Sequence, residues 1–297
     1  MARKVVDRVL EGQEWMDPFA KSVQNGVAAV FKGLGPLGKP LKDFLHGTKS
    51  LRHPLHPALT DIPLGAWVTG SIADYMAITT NILPRSAGTI ALAVGLVGAL
   101  GSALTGYTDF GETYGLERRS ALAHGLWMTV VFVVQTVSLV FRLVGSSGLY
   151  PAAVGLATAG LVLTGLGMYL GGHVVYGFGT MINRGAFVEG FSDTIAVGTP
   201  RDFPEGEMRK VEANGMPVLV TRYRSALYAI SNVCSHAGGP LNEGELNGDV
   251  VTCPWHGSRF CVRDGKVRGG PASFPQPKLG VREVDGRVEI WVAEPVH

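Results

Sequence analysis

A bundle of four transmembrane α-helices joined to a small all-β domain is the fold class this sequence predicts, and three observations predict it. Charge is unevenly spread: of the 50 Asp, Glu, Lys and Arg residues, nine fall among the 128 residues from 53 to 180. Four apolar runs in that stretch are long enough to cross a bilayer, which takes about 20 helical residues. Beyond Phe187 the texture becomes that of short alternating strands with hairpin turn signals. The averages of 46% hydrophobic, 17% charged and a net charge of +2 hide this division. The division excludes a single water-soluble domain, and the near-zero net charge gives no support to a nucleic-acid partner. Three parts follow: a basic, amphipathic segment over 1–52, a four-helix membrane domain over 53–180, and a β domain over 192–297.

The opening residues, MARKVVDRVL, lack the apolar core of a signal peptide and the paired arginines of a twin-arginine signal. A secreted fold is therefore not expected. Trp15, Phe19, Val23, Val27, Val30 and Phe31 recur at helical spacing and predict a helix lying in the membrane interface, broken by Pro36 and Pro40.

The predicted spans are 58–80, 86–107, 120–144 and Tyr150–Gly172. Short links at 81–85 and 145–149 make them antiparallel neighbours in an up-and-down bundle. Arg142, near the end of the third, is expected to snorkel to the interface. Glycines such as Gly95, Gly98, Gly101, Gly160 and Gly167 allow close helix packing or room for a flat cofactor, and spacing does not separate the two. Nine basic residues precede the first span and Arg118 and Arg119 sit between the second and third. This bias places both termini, and with them the β domain, on the cytoplasmic side of a cell (inner) membrane.

His53, His56, His124 and His173 gather at one predicted face of the bundle, level with Asp61 and Asp109. Ionisable groups at membrane depth are costly and point to function. Imidazoles from facing helices could be axial ligands to haem b, ligands to another metal, part of a quinone pocket, or a hydrogen-bonded network. The string RHPLHPALTDIPLG (52–65) resembles the start of an integral-membrane family of unknown function that often adjoins iron–sulfur domains. The likeness covers about 51–179 and implies no activity.

In the β part, 217–221 and 288–292 alternate as strands do, and Asn214-Gly215 and Asp285-Gly286 signal hairpin turns. Two ligand boxes are set into it, Cys234-Ser-His236 and Cys253-Pro-Trp-His256, with sixteen residues between them. Two thiolates suit one iron of a [2Fe–2S] cluster and two neutral imidazoles the other, an exchange that removes negative charge and raises the potential. A Cys2His2 zinc site is the alternative, but it would not require the glycine-rich flanks 237–241 and 257–258. The three cysteines form no disulfide framework, and Cys261 fits neither box and reads as a free thiol.

These boxes, with the flanks and CPWHGSRF, resemble Rieske ferredoxins over nearly all of 200–292. The resemblance implies that Cys234 and Cys253 bind one iron and His236 and His256 the other. It further implies that Ser258 donates a hydrogen bond to a cluster sulfur and that Pro271, in Gly270-Pro271-Ala272, belongs to the loop covering the cluster. The chain departs from the high-potential cytochrome bc type. Gly239 and Trp255 stand where that type has a cysteine pair, and Phe260 stands where it has a tyrosine hydroxyl. Fewer hydrogen bonds to sulfur predict a lower potential.

Within this sequence no room is left for the mononuclear-iron domain of a Rieske oxygenase. The expectation is a membrane-anchored electron carrier, its histidine-ligated iron exposed as the outlet. A cytosolic redox protein or reductase meets the cluster, and the electron passes to or from a haem b or quinone centre in the bundle. Two of His56, His124 and His173 would hold the haem, with His53 as substitute. The alternative makes the bundle a lipid-embedded anchor, and the protein an accessory subunit of a respiratory or oxygenase complex, or a redox sensor. A homo-oligomer fits either reading.

Overall fold

The structure, a computed structural model, describes residues 2–48, 51–80, 82–145, 148–184 and 193–291. The expected β-domain start at 192 and the strand residue Val292 lie outside these. The chain divides into two compact units, Met1–Gly38 with Leu55–Phe178, and Lys39–Pro54 with Gly179–His297. The basic segment 1–52 is thus shared between them.

The first unit is helical. Two helices, α1 (Ala2–Glu11) and α2 (Met16–Gly33), precede the short α3 (Gly38–Leu45), most of which belongs to the second unit. Pro36 lies in a 3-10 turn, whereas Pro40 sits within the first turn of α3. There it removes an N–H that has no helical partner, so it starts a helix instead of breaking one. Four long helices follow, α4 (Leu55–Thr79), α5 (Arg85–Phe110), α6 (Gly115–Leu143) and α7 (Tyr150–Gly172), the last continuing as a π-helical turn over His173–Gly177.

Among the described residues three helices are long and apolar enough to cross a membrane: α5, α6 and Tyr150–Gly177. The fourth expected span is a helix of 25 residues, α4, but it is not among these three; it carries Asp61 and Asp74 and has Pro63 inside it. α4 packs along α5 and α6 along α7, with α5 against α6 and α4 against α7, so α4 and α6 stand diagonally across the bundle. Trp67, Leu92, Leu96 and Val131 form its core. Ile90, Val97, Leu104 and Val162 remain exposed on the outside, as lipid-facing side chains would be.

α2 does not present its aromatic stripe to the bundle. Met16 and Ala20 are the buried residues, clustered with Leu10, Phe110 and Leu122, while Trp15, Phe19 and Val30 stay exposed. Asp17 accepts from Arg118 at 2.9 Å and from Arg119 at 2.5 Å. Arg119 also donates to the carbonyls of Leu10 and Glu11, closing the last turn of α1. Arg142 does not snorkel: it is buried in an ion pair with Asp74. Two partly buried hydrogen bonds to a carboxylate win over a reach to the interface, because the counter-charge is already inside.

Among the described residues the second unit holds ten strands: β1 (Ile195–Gly198), β2 (Met208–Ala213), β3 (Met216–Tyr223), β4 (Ala226–Ser231), β5 (Glu245–Asn247), β6 (Val250–Thr252), β7 (Arg259–Cys261), β8 (Val267–Gly269), β9 (Lys278–Val284) and β10 (Arg287–Trp291). Six form one antiparallel sheet in the order β1-β10-β9-β4-β3-β2, and β5-β6-β7-β8 form a second. Asn214-Gly215 and Asp285-Gly286 turn the β2–β3 and β9–β10 hairpins, each pair with both φ positive. A third such turn, Arg224-Ser225, contains no glycine. The Glu205 carboxylate holds it by accepting from the N–H groups of Arg224 and Ser225 at 2.5 and 3.0 Å.

Candidate metal centre and the bundle histidines

The first ligand box follows β4 and the second joins β6 to β7, so two short loops of the second unit carry it. Each loop closes on itself. Cys234 N–H donates to Gly239 O at 2.9 Å, and Cys253 N–H donates to Ser258 O at 2.8 Å. Gly239 is glycine of necessity, since a Cβ there would stand 2.9 Å from Cys253 Sγ and as close to the Trp255 ring. The third loop, around the buried Pro271, locks both: Ser235 Oγ donates to Phe274 O at 2.7 Å, and Ala272 N–H donates to Ser258 Oγ at 3.2 Å.

This brings Cys234, His236, Cys253 and His256 together. The thiols of the two cysteines hydrogen-bond to each other, and the imidazoles stand 4.7 Å apart between centroids at 75°. Cys253 is pushed down from the ordinary thiol value by the hydrogen bond from Cys234 and by the N–H groups of Trp255 and His256. Cys234 is pushed up by the same hydrogen bond and by burial. A thiolate is thus favoured at the pair, the form that binds iron. Burial first, then the neighbouring His256, His46 and Arg184, holds His236 well below the usual imidazole range. A neutral ring is the ligating form. His236 Nδ1 is buried and makes no hydrogen bond, an orphaned lone pair or proton that a metal would satisfy. Two thiols and two imidazoles, each kind paired, fit a [2Fe–2S] cluster.

The imidazoles are not the exposed outlet expected. Each of His236 and His256 is only 4% exposed. Flanking chain accounts for part of the cover: Met181 N–H donates to His236 O at 3.1 Å, and the fully buried His46 receives Ser273 Oγ at its carbonyl. Phe260 is buried between Val251 and Val267 in strand pairing, and Cys261 is buried with its thiol 3.5 Å from Asp249 Oδ2.

In the helical unit the four histidines part company. His56 on α4 and His124 on α6 face each other, 6.3 Å between centroids at 73°. His173 instead donates from Nε2 to Asp7 of α1 at 2.8 Å. His53 belongs to the second unit, exposed, with Nδ1 on its neighbour Pro54 O. Asp61 is exposed as well.

Sequence reasoning passed over Asp74, Tyr150 and His46. Asp74 accepts from both Arg142 nitrogens and from Tyr150 OH. A cavity of about 10 Å³, room for roughly one water, adjoins this pair and is lined by Trp67, Ser71 and Gln135 among others. An acidic residue within an apolar run was the available signal for Asp74. Nothing local distinguishes His46, whose carbonyl partner Ser273 lies 227 residues along the chain.

Residues 193–282 match the family described as the Rieske [2Fe-2S] domain, and residues 52–184 match the family described as predicted membrane protein, DUF2231. The chain is similar to the ferredoxin component of biphenyl 2,3-dioxygenase from Rhodococcus jostii, 42% identical over 74 residues that make up 25% of this chain and 69% of that protein. It is similar also to the cytochrome b6-f complex iron-sulfur subunit of Chlorobaculum tepidum, 31% identical over 33% of this chain and 54% of the relative, so it spans about half that relative's length. A solved complex of reduced oxygenase and oxidized ferredoxin in carbazole 1,9a-dioxygenase is 30% identical and covers 35% of this chain and 97% of that chain, with a TM-score of 0.33.

Proposed function

The chain belongs to the Rieske [2Fe-2S] family and joins that domain to a DUF2231 membrane domain, and from this we propose that it is a membrane-anchored carrier of single electrons. Cys234 and Cys253 hold one iron, His236 and His256 the other. When bound, the cluster supplies a site that takes up and gives back one electron. The chain's own residues set its level: Ser258, fixed by Ala272 N–H, has its hydroxyl hydrogen free for a sulfur, and Pro271 covers the loops.

In this reading the protein sits in the cell (inner) membrane with α4 crossing beside the three apolar helices, and the cluster lies on the cytoplasmic side; the three apolar helices and the basic residues before α4 support it. A cytosolic redox protein or reductase exchanges electrons with the cluster, and a haem b or quinone centre in the bundle exchanges them on the membrane side. The observation that carries this reading is the buried, paired arrangement of two thiols and two imidazoles on two loops locked by a third. The names of the relatives, a dioxygenase ferredoxin component and a cytochrome-complex subunit, support a carrier and not a self-contained catalyst. They also leave room for a subunit role in which the bundle is an anchor only.

The test uses membrane vesicles of both orientations and a soluble flavoprotein ferredoxin reductase with its nicotinamide donor. Inverted vesicles should show the EPR signal of a reduced histidine-ligated cluster, and His236→Ala should remove it. Reduction in right-side-out vesicles alone, or a signal that survives His236→Ala, would sink the proposal.

A further inference from the structure

His56 and His124 meet across the diagonal of the bundle, and their surroundings prepare them for one task. His56 Nδ1 lies 2.8 Å from the Ser102 carbonyl of α5, and His124 Nδ1 lies 2.9 Å from the Gly167 carbonyl of α7. A carbonyl oxygen only accepts, so each ring carries its proton on Nδ1. That leaves the Nε2 lone pair of both rings for a metal, with the ring orientation set by a backbone partner, the usual second contact of a ligating histidine. Glycines make room for both rings. A Cβ at Gly106 would stand 2.8 Å from His56 Cε1, and one at Gly171 would stand 3.0 Å from His124 Cε1.

The separation fits a shared iron. Two trans imidazoles with metal–nitrogen bonds of about 2.0 Å and ring radii of about 1.15 Å have centroids about 6.3 Å apart. The observed distance is 6.3 Å, with 73° between the ring planes. A bare cation would need further protein ligands. The helical unit's third histidine, His173, is turned to Asp7 and adds no ligand to this pair. A porphyrin brings its own four nitrogens and asks the protein for two.

Register places the pair. Eighteen residues separate His56 from Asp74 on α4, and eighteen separate His124 from Arg142 on α6. The two helices therefore run parallel and touch at two levels, which are ~27 Å apart at 1.5 Å per residue. With a hydrocarbon core of about 30 Å, the ion pair marks one edge of the membrane and the histidines the other, at the end of α4 from which the chain enters.

We infer that His56 and His124 are the two axial ligands of a single b-type haem, bound through Nε2 at one membrane edge, and that His173 and His53 take no part in it. This rests on the reading of the bundle as an electron-transfer domain and names its centre. His173 serves α1 through Asp7, and His53 belongs to the other unit.

The test is the full-length protein, made in cells supplied with haem and purified in detergent. Wild type should contain one haem per chain by the pyridine haemochrome assay, with a six-coordinate low-spin spectrum. His56→Ala and His124→Ala should lose that spectrum while the cluster EPR signal stays, which shows that the chain is folded. Imidazole added to His124→Ala should restore it. His173→Ala and His53→Ala should keep it. A haem-free wild type with an intact cluster, or low-spin haem in the His56→Ala/His124→Ala double variant, would overturn the inference. The first of these with the cluster still reducible by the reductase leaves the electron-carrier proposal standing. A bound haem beside a cluster that no reductase reduces would strike that proposal instead.

Discussion

Replacing Asp74 by Asn should strongly destabilise the helical unit. Asp74 and Arg142 side chains are each 1% exposed, and Arg142 donates to both carboxylate oxygens, at 2.7 and 2.5 Å. Tyr150 OH adds a third hydrogen bond at 3.0 Å, and the Arg85 guanidinium lies 4.6 Å over the Tyr150 ring. Asn keeps the size of the side chain and removes the charge, leaving a buried guanidinium without its counter-ion. Breaking a buried pair in this way costs about 3–5 kcal/mol, roughly a hundred- to several-thousand-fold in the folding equilibrium. The pair itself contributes far less than this, because both charges lost water on burial. The double variant Asp74→Leu/Arg142→Met should therefore regain most of the loss. Gly88→Ala should reproduce part of it, since a Cβ there would collide with the Asp74 carboxylate. The assay is unfolding in mixed micelles by rising dodecyl sulfate, followed by circular dichroism, with the cluster EPR signal as a check on the second unit. A loss below about 1 kcal/mol for Asp74→Asn, the worth of an exposed pair, would refute the reasoning. So would a double variant no more stable than the single ones.

Three further outcomes are expected. Ser258→Ala should lower the cluster potential, because a hydrogen bond to sulfur favours the more negative, reduced form; a charge-assisted bond of about 1.5 kcal/mol converts to ~65 mV for one electron, and protein-film voltammetry would read it. An unchanged or raised potential would show that the hydroxyl faces elsewhere. Cys261→Ala should leave the EPR line shape intact, since that thiol is buried toward Asp249 in strand pairing; a changed line shape would make it a cluster contact. The docking of α2 should be acid-resistant. The guanidinium groups of Arg119 and Arg118 hold Asp17 down at about 2, so its contribution is fully present above the ordinary carboxylate value and is lost only as pH falls through about 2. Protection factors for hydrogen exchange in α2, corrected for the intrinsic pH dependence of exchange, should thus match at pH 7 and pH 4, and Asp17→Asn should lower them at both; release of α2 near pH 4 would contradict the assignment.

Features that depend on local chemistry were readable before any coordinates. The two ligand boxes are short, since a cluster bound by a Cys-x-His and a Cys-x-x-His loop draws its ligands from adjacent residues. Asn214-Gly215 and Asp285-Gly286 announce turns because few other pairs accept two positive φ values. The turn at Arg224-Ser225 escaped notice because its stabiliser, Glu205, lies almost twenty residues upstream. Arg142 departs from the expected snorkelling for the same reason. Snorkelling is the default for an arginine near a span end, and only a partner 68 residues away reverses it.

The sequence by itself determined the division of the chain into an apolar helical part and a strand-rich part, the spans' approximate limits, and the residue types able to hold a two-iron cluster. Hydrophobic runs and ligand spacing are properties of neighbouring residues, and they survive without a fold. Tertiary structure alone decided which of four bundle histidines face each other, that His173 turns to Asp7 instead, and that the imidazoles of the metal centre are covered and not exposed. Each of these turns on the rotation of one helix against another or on a segment returning from far along the chain. A shift of one residue in either would have exchanged the partners, and no local pattern records it.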